Sequence, residues 1–177
     1  MKLYIVRHGR TDLNDNGIMQ GSSNIALNES GIKQAYIAKE KLSHVKFDIC
    51  ISSPLKRTVE TAKIIVDGKC NIIYDDLLLE RNLGLLEGKP HEIYKKYEYW
   101  NYVKNESINS VEPIKELFKR TKIFIDKVKK EYKDKIVLIV SHSATIRAIH
   151  YNIVGYDENT DFLKFNVETG SVYEYEI

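Results

Sequence analysis

The stretch "KIVLIVSHSATIRAIHYNIV" (residues 135–154) opens on an unbroken apolar run, Ile136 to Val140. It turns polar at Ser141-His142-Ser143 and then takes up helical apolar spacing. A strand alternates its faces, so a continuous apolar run means that both faces are covered, as in a parallel sheet between helices. The break from strand into helix leaves a histidine and two serines at the strand's carboxyl end. Residues 135–143 therefore read as a buried strand and 144–154 as the helix that follows it.

The same alternation extends outward. "KLYIV" (2–6), "FDICIS" (47–52) and "NIIYD" (71–75) read as strands. Residues 28–42 read as a helix capped by Asn28, with Ile32, Ala35, Tyr36 and Leu42 on one face. Residues 53–66 read as a helix with Ser53 at the cap and Pro54 in first position; Leu55, Val59, Ala62 and Val66 form its apolar face. Residues 113–132 form a long amphipathic helix with Ile114, Leu117, Phe118, Phe124, Ile125 and Val128 inward. "FLKFNV" and "SVYEYEI" are expected to pair as a hairpin around Thr169-Gly170. Strands alternating with helices give an α/β fold: a three-layer sandwich whose central sheet is mostly parallel, in a single domain over 1–177.

In such sheets function gathers beyond the carboxyl ends of the strands. The first strand ends at Arg7-His8-Gly9, the second at Ser52-Ser53-Pro54 with Arg57 close behind, and the central one at Ser141-His142-Ser143. Two arginines and two histidines thus reach one rim, beside helix N-termini. Guanidinium forks and exposed N–H groups suit an anion of phosphate geometry. A zinc site on His8, His142 and a carboxylate is disfavoured, because the two arginines repel a cation. A nucleotide P-loop is excluded: "GLLEGKP" (84–90) has three residues between its glycines and Pro90 where a hydroxyl is needed.

The chain has 177 residues and a formal charge of +2, too balanced to imply a polyanionic partner. No apolar stretch has the length of a signal peptide or a membrane span, so no membrane association is expected. Cys50 and Cys70 are expected as reduced thiols in a cytoplasmic protein, the alternative being a bridge between them.

Five blocks in order, "RHGRT", "MQGSSNIALNESGIKQA", "SSPLKRTVETA", "LLLERNLGLLEGKPHEI" and "VSHSATIRAI", resemble the histidine phosphatase superfamily, in the branch of the cofactor-dependent phosphoglycerate mutases. The resemblance spans nearly the whole chain and implies a phosphoglycerate mutase-like fold. It implies His8 as the nucleophile that carries a phosphohistidine, and Arg7, Arg57 and His142 as the phosphate pocket. It implies Glu80 as general acid, Asn14 as a further phosphate donor, and Gln20-Gly21 as a border of the substrate. Arg10, Thr11 and Ser143 are expected beside the substrate, and no metal or cofactor is implied.

Three positions depart from the family pattern. Arg10 stands where the family usually has Glu or Gln, which calls for a more anionic substrate or a carboxylate partner. Ser143 replaces a common Gly, and "SVEP" (110–113) replaces Gly-Glu-Ser. The aromatic, basic stretch 92–105 reads as part of a lid over 90–110 in preference to a base-stacking nucleic-acid surface. The modest lid, and a chain that stops at Ile177 without a tail over the site, favour hydrolysis of a small phosphorylated metabolite. The alternatives are a mutase, which alone would require 2,3-bisphosphoglycerate, and a non-catalytic phospho-ligand binder. The resemblance is strongest to broad-specificity and alpha-ribazole phosphatases.

Overall fold

The computed structural model describes residues 1–94 and 98–177. The chain runs β1 (Lys2–Arg7), α1 (Asp12–Asp15), α2 (Glu29–Lys41), β2 (Ile49–Ser52), α3 (Lys56–Val66) and β3 (Asn71–Tyr74). It continues through α4 (His91–Tyr94), α5 (Ile114–Glu131), β4 (Ile136–Ser141), α6 (Ser143–Val154) and β5 (Val172–Glu176), with short 3₁₀ turns between. The sheet order is β3-β2-β4-β1-β5. β1, β2, β3 and β4 are parallel, and β5 is antiparallel on β1. The mostly parallel α/β sandwich is therefore the observed fold.

The two faces of the sheet are sorted by the strand period. Leu3 and Ile5 join Val137, Ile139 and Ile51 under α5 and α6, against Phe124, Ile125, Val128, Ile146 and Ile149. Tyr4 and Val6 join Leu138, Val140 and Cys50 on the opposite face, under Ala38 and Leu42 near α2 and Ala62, Ile65 and Val66 of α3. Val137 to Val140 have no exposed surface, which is why the run carries no polar residue.

Register brings the strand ends level. Arg7 of β1 lies opposite Ser141 of β4, and Ser52 of β2 lies opposite Val140. The residues that follow, His8, Ser53 and His142, therefore leave the sheet side by side. The amides of His8 and Ser53 still bond the β4 carbonyls of Ser141 and Val140, at 3.0 Å each.

Three local expectations are corrected. Residues 162–167 form no strand: Phe162–Lys164 is a 3₁₀ turn, and β5 pairs with β1 instead of folding back on its neighbour. The free edge of β1 offers a full row of backbone partners, which a short hairpin does not. α3 begins at Lys56 with Leu55 at its cap and no side-chain bond there, since the Ser53 hydroxyl is engaged by His142 at 2.8 Å. α2 is capped by Asn28 as read, but Ile32 and Tyr36 are exposed and Gly31, Ala35 and Ala38 are buried. Small residues on that stripe let the helix approach the loop after β1 closely. Cys50 and Cys70 are both free thiols.

Candidate active site

Beyond the carboxyl ends of β1 and β4 lies a cavity of about 360 Å³. Its wall includes Arg7, His8, Asn14, Gln20, Gly21, Arg57, Glu80 and Ser143, which the sequence singles out. It also includes His91, Tyr94 and Trp100, which belong to the segment read as a lid, and Arg81, Arg147, Asn166 and Val167, which the sequence reading does not single out.

His8 is buried, and its Nδ1 donates to the carbonyl of Gly9 at 2.7 Å. A neutral imidazole carries one proton, so this bond leaves Nε2 with a free lone pair. Burial, and then the charges of Arg57 and Arg7, hold the ring well below the usual histidine range. The imidazole is thus kept neutral and nucleophilic next to cations that attract an anion.

Arg57 is buried and pinned on three sides. Nε donates to His142 Nδ1 at 3.2 Å, Nη1 to the Ser23 carbonyl at 2.6 Å, and Nη2 to the Gly21 carbonyl at 2.8 Å. A guanidinium has five N–H groups, so two remain for a ligand. Desolvation brings its pKa down to about 10, which still leaves the group charged at neutral pH. Arg7 donates Nη1 to the Val167 carbonyl at 2.7 Å, and its buried Nε has no partner among the described residues. An unmet buried donor costs about 1–3 kcal/mol, a cost that an arriving anion removes.

His142 is placed differently from the expectation that it contacts phosphate. Its ring lies 5.2 Å from that of His8, fully buried, and it does not form part of the cavity wall. Both ring nitrogens are occupied, Nδ1 by Arg57 and Nε2 by the Ser53 hydroxyl. Thr11 is also buried behind the wall. Its hydroxyl donates to Gln20 Oε1 at 2.9 Å and accepts from the Asn14 amide at 3.3 Å; Asn14 Oδ1 takes the Thr11 amide at 3.2 Å. With both carbonyl oxygens occupied, the amide nitrogens of Asn14 and Gln20 are left as donors for the cavity. Arg10 is not part of this cavity's wall and pairs with Asp15 at 2.9 Å, so its carboxylate partner is internal.

Glu80 stands at the N-terminus of α6. Its Oε1 accepts from the amides of Arg81 at 2.9 Å, Ala144 at 3.1 Å and Thr145 at 3.3 Å. The carboxylate is thereby fixed in the cavity wall with Arg7 and His8. Glu87 has another task. It accepts from the Ser22 amide and hydroxyl at 2.8 and 2.9 Å, holding the loop whose carbonyls grip Arg57. Gly21, with φ +49°, passes so close that a Cβ there would meet the Glu87 carboxylate.

The aromatic stretch supplies Tyr94 and Trp100 to the wall, with Tyr94 stacked on buried Tyr99 at 4.8 Å. Residues 95–97 of that stretch lie outside the described residues. Arg147 follows Ser143 by one helical turn, a spacing that puts both on one face of α6 and that marks it in the sequence. Asn166 and Val167 come from the segment expected as a strand, and no local pattern marks them.

The arrangement matches known proteins. A phosphoserine phosphatase 1 from Hydrogenobacter thermophilus is 32% identical over 164 residues, covering 89% of this chain and 78% of that protein. The phosphatase PhoE of Bacillus subtilis is 38% identical over 154 residues, covering 86% and 77%. A phosphoserine phosphatase from Entamoeba histolytica, solved with 3-phosphoglyceric acid, superposes with a TM-score of 0.85 at 27% identity, covering 98% of this chain and 89% of that one. The family model of the histidine phosphatase superfamily, branch 1, matches residues 3–177. This chain belongs to the histidine phosphatase superfamily and is a phosphatase.

Proposed function

We propose that the protein hydrolyses phosphomonoesters of small metabolites without a metal ion, through a phosphohistidine on His8. The observation that carries this reading is His8 itself: neutral, its Nδ1 tied to Gly9, and set between Arg7, Arg57 and Glu80. Nε2 attacks phosphorus in line while the bond to the ester oxygen breaks. Arg7 and Arg57 balance the equatorial oxygens, the main demand of phosphoryl transfer. Glu80 gives a proton to the leaving alkoxide. It then takes one from the water that attacks the phosphohistidine, which releases inorganic phosphate and restores His8. His142 acts through Arg57, holding the guanidinium against the site. Two guanidinium groups beside the imidazoles disfavour a metal cation there. The described residues of 90–110, among which Tyr94 and Trp100 reach the wall, serve as the lid.

The test is rapid-quench labelling with a ³²P-labelled ester, in the presence of EDTA. Acid-labile, base-stable label on the protein, absent in His8→Ala, supports the reading. Activity lost to EDTA and restored by zinc or magnesium, or turnover that survives His8→Ala, overturns it.

A further inference from the structure

The cavity holds more positive charge than a phosphate ester uses. Arg7, Arg57, Arg81 and Arg147 line it, against the single carboxylate of Glu80 among the described residues. A phosphomonoester brings close to two negative charges at neutral pH. Even with Glu80 counted as a full negative charge, one guanidinium charge is left uncompensated in a desolvated place, where unpaired charge is costly.

The surplus has a definite position. Arg7 and Arg57 flank His8, whereas Arg81 and Arg147 gather on Trp100. The Arg147 guanidinium lies over the Trp100 ring at 4.9 Å and that of Arg81 over the same ring at 5.2 Å. Arg147 donates Nε to the Phe165 carbonyl at 3.1 Å, and its terminal nitrogens bond no acceptor among the described residues. Arg81 is fully buried, with Nη2 likewise unpartnered among them. Burial lowers the pKa of Arg147, opposed mainly by Glu80, so the cation is held without full compensation. An aromatic face fixes the plane of a guanidinium and leaves its edge free, and that edge matches a carboxylate in bidentate fashion.

We infer that Arg147, held over the Trp100 ring, is a specificity-determining residue that receives a carboxylate on the leaving group of the phosphomonoester, with Arg81 reinforcing it. The assignment rests on the phosphatase reading above. It makes the preferred substrates phosphorylated hydroxy acids or hydroxyamino acids in preference to phosphorylated polyols.

The test uses two esters that differ only in a carboxylate against a hydroxymethyl group, 3-phosphoglycerate and glycerol 3-phosphate. The readout is the ratio of their kcat/KM values, in which the active fraction of a preparation cancels, so that a merely structural role for Arg147 leaves it unmoved. The wild-type ratio is expected to favour the carboxylate by about ten- to a hundredfold, in line with a charge-assisted pair. Arg147→Gln should lower the ratio at least tenfold, and Arg147→Lys, which keeps the charge and loses the fork, should retain part of it. A wild-type ratio near one, or a ratio unchanged in Arg147→Gln, overturns the assignment. p-Nitrophenyl phosphate separates the two levels. Its hydrolysis with no preference between the esters removes only the carboxylate site, whereas no hydrolysis of any ester removes the phosphatase reading as well.

Discussion

Arg57 Nε donates to His142 Nδ1 across 3.2 Å, a bond that only an unprotonated Nδ1 can accept. His142 therefore carries its single proton on Nε2, where it meets Ser53. Burial, then Arg57, then His8 and Arg7 keep this ring well below the usual histidine range, and His8 is held down in the same way by burial, Arg57 and Arg7. Each pKa is lower folded than unfolded, so between the two values the unfolded chain binds more protons.

Stability should accordingly be fully present above about pH 6.5 and fall as the pH drops below it. Each pH unit costs up to about 1.4 kcal/mol per histidine until the folded-state value is reached. Urea unfolding at pH 7.5, 6.5 and 5.5 measures the slope. The double variant His8→Asn/His142→Asn should show a shallower one; an equal slope in the variant assigns the pH dependence to other groups.

Glu80 and Glu87 should separate by leaving group. Glu80→Gln removes proton transfer and leaves Arg7, Arg57 and His8 in place, so poor leaving groups should lose about 10²–10⁴-fold. With p-nitrophenyl phosphate the first step needs little protonation, and phosphohistidine should accumulate because water attack stays slow. Glu87→Gln loosens the Ser22 loop that positions Arg57, and its loss should be the same for every leaving group. Steady-state rates across esters of graded leaving-group pKa, with trapped phosphoprotein, decide between these outcomes; a uniform loss in Glu80→Gln assigns the acid to another group.

What the sequence makes legible follows from local physics. An apolar run with no polar residue announces a strand covered on both faces, and β4 is that strand. The inward residues of α5 follow the helical period and are buried as read. The misread elements depend on contacts distant in sequence. Ser53 has the form of a helix cap, and only the arrival of β4 in register brings His142 to its hydroxyl. Ile32 and Tyr36 are larger apolar residues of α2, yet the helix turns its small ones inward, because at Gly31 the backbone of the loop after β1 lies against it. Arg10 is an unexplained cation until α1 presents Asp15. Trp100 and Arg147 are nearly fifty residues apart, and the fold alone makes them neighbours.

The backbone facing α2 gives a sharp expectation. A Cβ on Gly9 would lie 2.2 Å from the Gly31 carbonyl oxygen, and one on Gly31 would lie 2.0 Å from the Arg10 carbonyl oxygen. Neither neighbour is a side chain that can swing aside. Overpacking typically costs about 1–3 kcal/mol, and these contacts belong at the upper end of that range. Gly9→Ala should also depress kcat, since Gly9 adjoins His8 and its carbonyl orients the imidazole. Gly31→Ala acts one layer further out and should lower stability more than activity. Chemical denaturation and steady-state kinetics on both variants test the pairing; a stable, fully active Gly9→Ala contradicts the close approach.

Thr11 offers the clearest split between binding and chemistry. It does not line the cavity, but its hydroxyl orients Gln20 and its amide orients Asn14, turning both side-chain NH2 groups toward the ligand. Thr11→Val keeps the shape and removes the hydroxyl. Gln20 Oε1 then loses its donor in a buried position, and the Asn14 amide loses its cap acceptor, together costing about 1–2 kcal/mol of stability. The Gln20 amide becomes free to rotate and present an oxygen to the phosphate in place of its nitrogen donor, whereas Asn14 keeps the bond from the Thr11 backbone amide. Neutral donors of this kind grip the phosphate oxygens before the transition state as well as in it, so their loss is uniform. KM should rise about tenfold with kcat within a few-fold of wild type, and Thr11→Ser should recover most of the loss. A fall in kcat at constant KM places the Gln20 donor in the transition state instead. An unchanged KM shows that the Gln20 amide is oriented without the Thr11 hydroxyl.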